Sequence, residues 1–272
     1  MHIQGNTLSK KPSFKSFQGV STMSRSLSRI STLAKRNVKE IIRDPLSLIF
    51  MLIMPLSMEI LFYYIFHELT EQFAMKYLAP AIVVFSQAFL SLFAGMLIAL
   101  DRSTSFLSRL CVSPARPHEF ILGYAIALAP LAVLQSILFF AVGAIIDPTI
   151  WNIGLLYGLL SSLLTSLLFL SIGILLGSLC NEKSIGGVAS VVIAGQSVLS
   201  GMWFPTSGIP KGFETFMRVL PFKNATDLVQ NSLIATSNLF GDVFLPLLIV
   251  LAYTVAIFIA AILCFRARMK NR

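Results

Sequence analysis

The sequence predicts an all-α membrane protein: six transmembrane helices, an N-terminal amphipathic interface helix, and re-entrant outer helices before the last span. Three observations predict it. The chain is 56% hydrophobic with a mean hydropathy of +0.82. Only 12% of its residues are charged, about half the share usual in a soluble domain. Its apolar stretches are also long enough to cross ~30 Å of hydrocarbon at ~1.5 Å rise per residue. They run over 46–66, 78–100, 121–146, 153–180, 185–203 and 243–265. Inside lipid a backbone must satisfy its own hydrogen bonds, and a helix does so within one segment.

Lys and Arg set the orientation. Residues 1–45, the break at 101–120, Lys183 and the tail from Arg266 together hold 17 of the 21 basic residues. The opposite side holds Lys76, Lys211, Arg218 and Lys223. This asymmetry predicts both termini in the cytoplasm; the expected location is the cell membrane. The net charge of +9 is then a topology signal, and no base-reading motif accompanies it, so nucleic acid is not an expected partner.

The N-terminal region divides in two. Residues 1–24 are Ser- and Lys-rich, lack acidic side chains and lack the apolar core of a signal peptide. They read as a disordered basic tail in the cytosol; an organellar transit peptide is the other reading of that composition. Over 25–45, Leu27, Ile30, Ala34, Val38 and Ile41 recur at three- and four-residue steps. That pattern predicts an amphipathic helix with a basic face along the membrane surface, turned into the first span by Asp44-Pro45. The transmembrane domain follows over 46–272.

Two breaks between spans are unusual. In the loop 101–120, Phe106, Leu107 and Leu110 share one face of a short helix, with Arg102 and Arg109 expected to reach water and Pro114 to stop it. The segment is either an ordinary connector or a docking surface. In 204–238, Pro205, Pro210 and Pro221 delimit short helices, with Phe213 and Phe216 on one side of the first. This segment is too apolar to float free and too broken to span; two short helices dipping into the outer leaflet fit it. Trp203 and Phe204 stand where an interfacial aromatic anchor belongs, or where a substrate would be met.

Polar groups inside the spans are the remaining candidates. Glu59 is the one acidic residue well inside a span. A buried charged carboxylate costs several kcal/mol, so it faces a cavity, pairs or stays protonated. It reads either as a contact for a cationic substrate, with Tyr63 beside it, or as a helix–helix hydrogen bond. Gln87, Gln135 and Gln196 are weaker candidates for the pathway and stronger ones for interhelical bonding. Gly154/Gly158 and Gly173/Gly177 match the GxxxG spacing of closely packed or sliding helices. The three cysteines and three histidines share no metal-ligand spacing, and no catalytic constellation is present.

These features, in order, resemble those of a membrane subunit of the ABC-2 type transporters, nearest to the drug-efflux (daunorubicin-resistance-like) permeases. The matching residues are Arg43-Asp44-Pro45 at the end of the interface helix and Pro55 in the first span. They continue with Arg109-Leu110 to Pro114 and Glu119 to Gly123, then Gly201-Met202-Trp203-Phe204-Pro205, Ile209-Pro210 and Leu220-Pro221. The resemblance covers about residues 25–270 and rests on order and spacing. It implies that Arg102, Ser103, Phe106, Leu107, Arg109, Leu110 and Pro114 form a helix that couples to an ATPase. It also implies that 204–238 is a re-entrant outer hairpin, and that a second permease chain completes a dimer exporting a drug, lipid or lipid-linked glycan. The sequence contains no GxxxxGK[ST] phosphate loop. The ATPase, with its ATP and Mg, is therefore expected on a separate polypeptide; this chain is expected to be non-catalytic and to carry no cofactor. A secondary transporter or channel working alone is the alternative; it calls for internal repeats with broken helices at mid-membrane.

Overall fold

The computed structural model describes residues 14–104, 117–204, 209–234 and 240–270, and in these it is all-helical. Helix α1 (Phe14–Ile42) precedes α2 (Pro45–Phe66), α3 (Met75–Ser103) and α4 (Pro117–Ile146). Then come α5 (Ile153–Leu179), α6 (Glu182–Leu199), the short α7 (Lys211–Val219) and α8 (Pro221–Ile234). A π turn, Phe240–Phe244, leads into α9 (Leu245–Lys270). The interface helix thus begins at Phe14 rather than near residue 25, so the stretch read as a disordered tail to residue 24 is helical over its second half. Phe14, Phe17, Val20 and Met23 extend the three-residue spacing backwards through the Ser-rich stretch.

Polar residues cap the starts of α2, α5 and α6. The Asp44 carboxylate accepts the Ser47 amide at 3.2 Å, with Pro45 at the first helical position. Asn152 accepts the Gly154 amide at 2.7 Å, and Asn181 forms a reciprocal capping box with Ser184. Among the described residues, five helices are long and apolar enough to cross a membrane: Pro45–Phe66, Met75–Ser103, His118–Ile146, Ile153–Leu179 and Gly241–Ala267. The stretch expected as the fifth of six spans forms α6, which has 18 residues, opens on Glu182 and Lys183 and carries Gln196. It is shorter and more polar than the other five.

Helix α3 is the axis of the bundle, buried along nearly its whole length against α2, α4, α5, α6 and α8. The closest approaches occur where glycine removes a side chain. A Cβ on Gly177 would lie 2.7 Å from the Gly95 carbonyl, and one on Gly173 would strike the Ser91 carbonyl. At the other end of α5, Gly154 sits under the Leu233 carbonyl of α8 and Gly158 under the Phe140 ring. The two GxxxG pairs therefore seat different partners, α3 at one end and α8 at the other.

Two apolar cores result. One gathers Phe139, Phe140 and Phe169 with α3 and α8; the other gathers Phe120, Ile121, Tyr124 and Phe265 nearer α1. An aromatic cluster closes the end of α2. Trp203 packs edge-on to Phe62 at 4.8 Å and to Phe85 at 5.9 Å between ring centroids, and its indole N–H donates to Ser197 Oγ at 2.6 Å. Ile185, near the start of α6, lies against Gly95 far along α3, and the carbonyl of Gly201, just past the end of α6, accepts Gln72 Nε2 at 2.7 Å just before α3 begins.

Candidate functional site

The informative cluster stands at the foot of the 105–116 loop. Helix α3 ends in Asp101 and Arg102, both buried. Arg102 Nη1 donates to the carbonyls of Gly177 at 2.7 Å, Ser178 at 2.6 Å and Cys180 at 3.0 Å. The last carbonyls of a helix lack intrahelical partners and carry partial negative charge. Arg102 thereby ties the end of α3 to the end of α5.

Asp101 binds in the other direction. The guanidinium of Arg36, on α1, grips it with both nitrogens, Nη1 to Oδ2 at 2.7 Å, while the Tyr124 hydroxyl of α4 donates to Oδ2. Arg36 also pairs with Glu40 one turn along α1, at 2.8 Å. The bonds from Asp101 hold the Arg36 guanidinium still more firmly protonated than usual, and burial pushes the Glu40 carboxyl up. On the far side of the loop Glu119, 2% exposed in the first turn of α4, accepts Ser26 Oγ and pairs with Arg29 Nη1 at 3.3 Å. A glutamate there also complements the positive helix end.

Both feet of the loop are thus fastened to α1 through buried carboxylates, and one of them to α5 as well. Bidentate arginine–carboxylate contacts fix orientation as well as distance. A displacement of the loop would be carried to α1, α3, α4 and α5 together rather than absorbed at a flexible joint.

The expected coupling residues divide accordingly. Phe106, Leu107, Arg109, Leu110 and Pro114 lie outside the described residues, as does Pro205. Arg102 does not reach water as its place in the loop suggested; it is 8% exposed because three carbonyls claim its donors. Ser103 is exposed and bonds back to the Leu100 carbonyl at 2.8 Å.

The pathway candidates are spread over four helices. Glu59 is fully buried, its carboxyl facing Gly143 of α4 beside Ala79 and Met75 of α3, with no hydrogen-bond partner among the described residues. Gln87 is satisfied between α3 and α5: its amide donates to the Ser162 carbonyl at 2.8 Å and accepts Thr165 Oγ1 at 2.8 Å. Gln135 and Gln196 are buried without hydrogen-bond partners among the described residues. Tyr63 stacks on His67 at 4.4 Å near the end of α2.

In the outer segment Pro210 precedes α7, Phe213 and Phe216 project outward, and Pro221 opens α8. Phe204 is exposed while Trp203 turns into the aromatic cluster. Helix α8 begins deep in the bundle. Its Phe222 ring lies 6.2 Å from Phe169, well along α5, while Leu233 returns to Gly154 at the start of α5.

Sequence reasoning missed Arg36, Tyr124 and the roles of Asp101 and Glu119. The signal was present: Asp101 and Glu119 are the two acids of the 101–120 break and stand at its two ends.

A bundle of long apolar helices wrapped by a charged surface helix is a multi-pass integral membrane protein. The family model for ABC-2 type transporters matches residues 28–234, which takes in all but the last membrane helix. The chain belongs to the ABC-2 type transporter family, whose members are the permease components of ABC transporters. No curated protein matches it.

Proposed function

We propose that this chain is the permease of an ATP-driven exporter that moves a hydrophobic or amphiphilic substrate (drug, lipid or lipid-linked glycan) outward across the cell membrane. A separate ABC ATPase supplies the work, and a second permease chain completes the assembly. The observation that carries the reading is the pair of fastened feet under the 105–116 loop. The buried Asp101–Arg36–Tyr124 and Glu119–Arg29 contacts at its base would carry a push on this segment to α1, α3 and α4.

In this mechanism closure of the ATPases displaces Phe106–Leu110, and the charged feet convert that into a tilt of α3 and α4. Six crossings with both termini in the cytoplasm are part of the proposal. Helix α6 supports them, since it packs on α3 and the chain from Ile185 to Gly201 reaches from the level of Gly95 to that of Gln72. The segment from α7 to α8 is the re-entrant hairpin, a reading supported by the depth of Phe222 and the return of Leu233.

The test is reconstitution of the chain with its ATPase partner. Arg109→Glu with Leu110→Asp is expected to leave insertion intact and to uncouple ATP hydrolysis from export. Normal ATP-driven export by the double variant sinks the docking assignment. Substrate movement by the chain alone, indifferent to ATP, favours the secondary-transporter or channel reading.

A further inference from the structure

A cavity of about 190 Å³ opens beside the fastened feet, between the end of α1, the start of α2, α3 and the start of α6. Its polar lining is acidic: Glu40, Asp44 and Glu182, with the Ser47 hydroxyl. Its floor is apolar, formed by Phe93, Met96, Leu97, Leu100 and Ile185. Through Ser47, Phe93 and Met96 it continues into a second cavity of about 240 Å³ between α2 and α3. That one is lined by Phe50, Met51, Phe89 and Leu92 and, apart from the shared Ser47, is wholly apolar. The two form one groove, acidic where the chain's charged ends gather and oily where α2 faces lipid.

The acidic mouth is out of character with its surroundings. Seventeen of the 21 Lys and Arg residues fall on the same side of the sequence's topology, yet among the described residues none lines this cavity. Arg43 and Lys183 are chain neighbours of Asp44 and Glu182 but do not contribute to its wall. Arg36, the nearest paired cation, is divided between Glu40 and Asp101. Asp44 and Glu182 each stand at a helix start, where a full negative charge outweighs the half positive charge of the helix end. The floor adds soft, deformable thioethers and aromatic faces, which suit hydrophobic cations of varied shape.

From this juxtaposition we infer that the groove between α2 and α3 binds an amphiphilic cation, its charged head among Asp44, Glu182 and Glu40 and its apolar body along Phe50, Phe93 and Met96. The inference rests on the exporter reading for its purpose, and gives that reading a substrate class and a loading site at the cytoplasmic end. Heads that carry phosphate are disfavoured, because three carboxylates would repel it. A compact aromatic cation and a long-chain amine drawn from the inner leaflet share the required chemistry.

The test is equilibrium binding to the full chain in zwitterionic-lipid nanodiscs, without ATPase or ATP. Tetraphenylphosphonium and tetraphenylborate match in size and differ in sign; hexadecylamine represents the lipid-like source. The phosphonium or the amine is expected to bind saturably, and whichever binds identifies the source; the borate is expected to show no saturable binding beyond its partition into empty nanodiscs. Asp44→Asn with Glu182→Gln, which keeps a capping side chain at Asp44, should weaken binding roughly tenfold or more, the scale of one lost charge contact. Met96→Trp, at a position 43% exposed, should obstruct the body of the groove and weaken it independently. Equal binding of both signs, or affinity unchanged in the double variant, overturns the site. The exporter reading is judged separately by ATP-driven transport: if the cation binds through the rim but is never moved by ATP, that reading fails and the site stands.

Discussion

At the residue scale, the side chains with the largest consequences are charged ones that left water. Asp101 is 2% exposed and is held by Arg36 and Tyr124. Removing one partner of a buried pair typically costs ~3–5 kcal/mol, because the other charge stays buried. Arg36 is a third exposed, so Arg36→Ala should cost less, about 2 kcal/mol, read as a lowered thermal midpoint in detergent. Arg36→Lys should recover only part of it, since an ammonium cannot grip both oxygens. Glu40 adds a pH dependence. Burial raises its carboxyl, so the folded protein binds that proton more tightly than the unfolded chain does. The stabilisation is complete below the ordinary carboxylate range and fades as pH rises through the folded value. Glu40→Gln should therefore flatten the slope of thermal midpoint against pH on the acid side of neutrality. Gln87 is a quieter case. It joins α3 to α5 by two hydrogen bonds, and Gln87→Leu should cost roughly 0.6–1.7 kcal/mol, the range for such bonds in membrane bundles.

At the element scale, the glycines divide by what they face. Gly173 and Gly177 let α5 ride on the backbone of α3, whereas nothing lies within 4 Å of a Cβ built on Gly186 of α6. Gly177→Leu should separate α3 from α5, dragging Arg102 off the carbonyls of Gly177, Ser178 and Cys180. The expected readout is loss of the monodisperse folded species on size exclusion. Gly186→Ala meets no neighbour and should leave that profile unchanged, gaining up to about 1 kcal/mol of helix propensity. Equal damage from both would mean that helix flexibility, not close packing, is what these glycines supply. The sequence showed the GxxxG spacing of both pairs but not their partners. Spacing places small residues on one face of a helix; which helix meets that face depends on contacts across 80 residues of chain.

At the scale of the whole molecule, α6 sets the number of crossings. Among the described residues five helices meet the length and apolarity of a span, and α6, with 18 residues, is the borderline element. Its hydrophobicity is diluted by Glu182, Lys183 and Gln196, yet it lies along α3 for most of the bundle's depth. In a background with Cys111, Cys180 and Cys264 replaced by serine, Lys183→Cys and Phe204→Cys should be labelled by an impermeant thiol reagent from opposite faces of the membrane. Labelling from one face would reduce the count to five and separate the termini. A helix that borders other protein can carry more polar residues than one surrounded by lipid, because neighbouring helices satisfy them. Apolar run length alone does not register this.

Much of the molecule was legible in one dimension. Run length, the scarcity of charge and the one-sided Lys/Arg distribution determine a helical bundle in a membrane, because the cost of exposing backbone to lipid depends on local composition. Proline and glycine spacing marked the two unusual breaks for the same reason. Only the tertiary structure decided that Arg102 turns inward to the end of α5, that Arg36 crosses to Asp101, and that Arg29 crosses to Glu119. A charge at the edge of a span can face water or a distant partner at equal sequence cost. The choice is made by packing, when another helix brings carbonyls or a carboxylate within 3 Å.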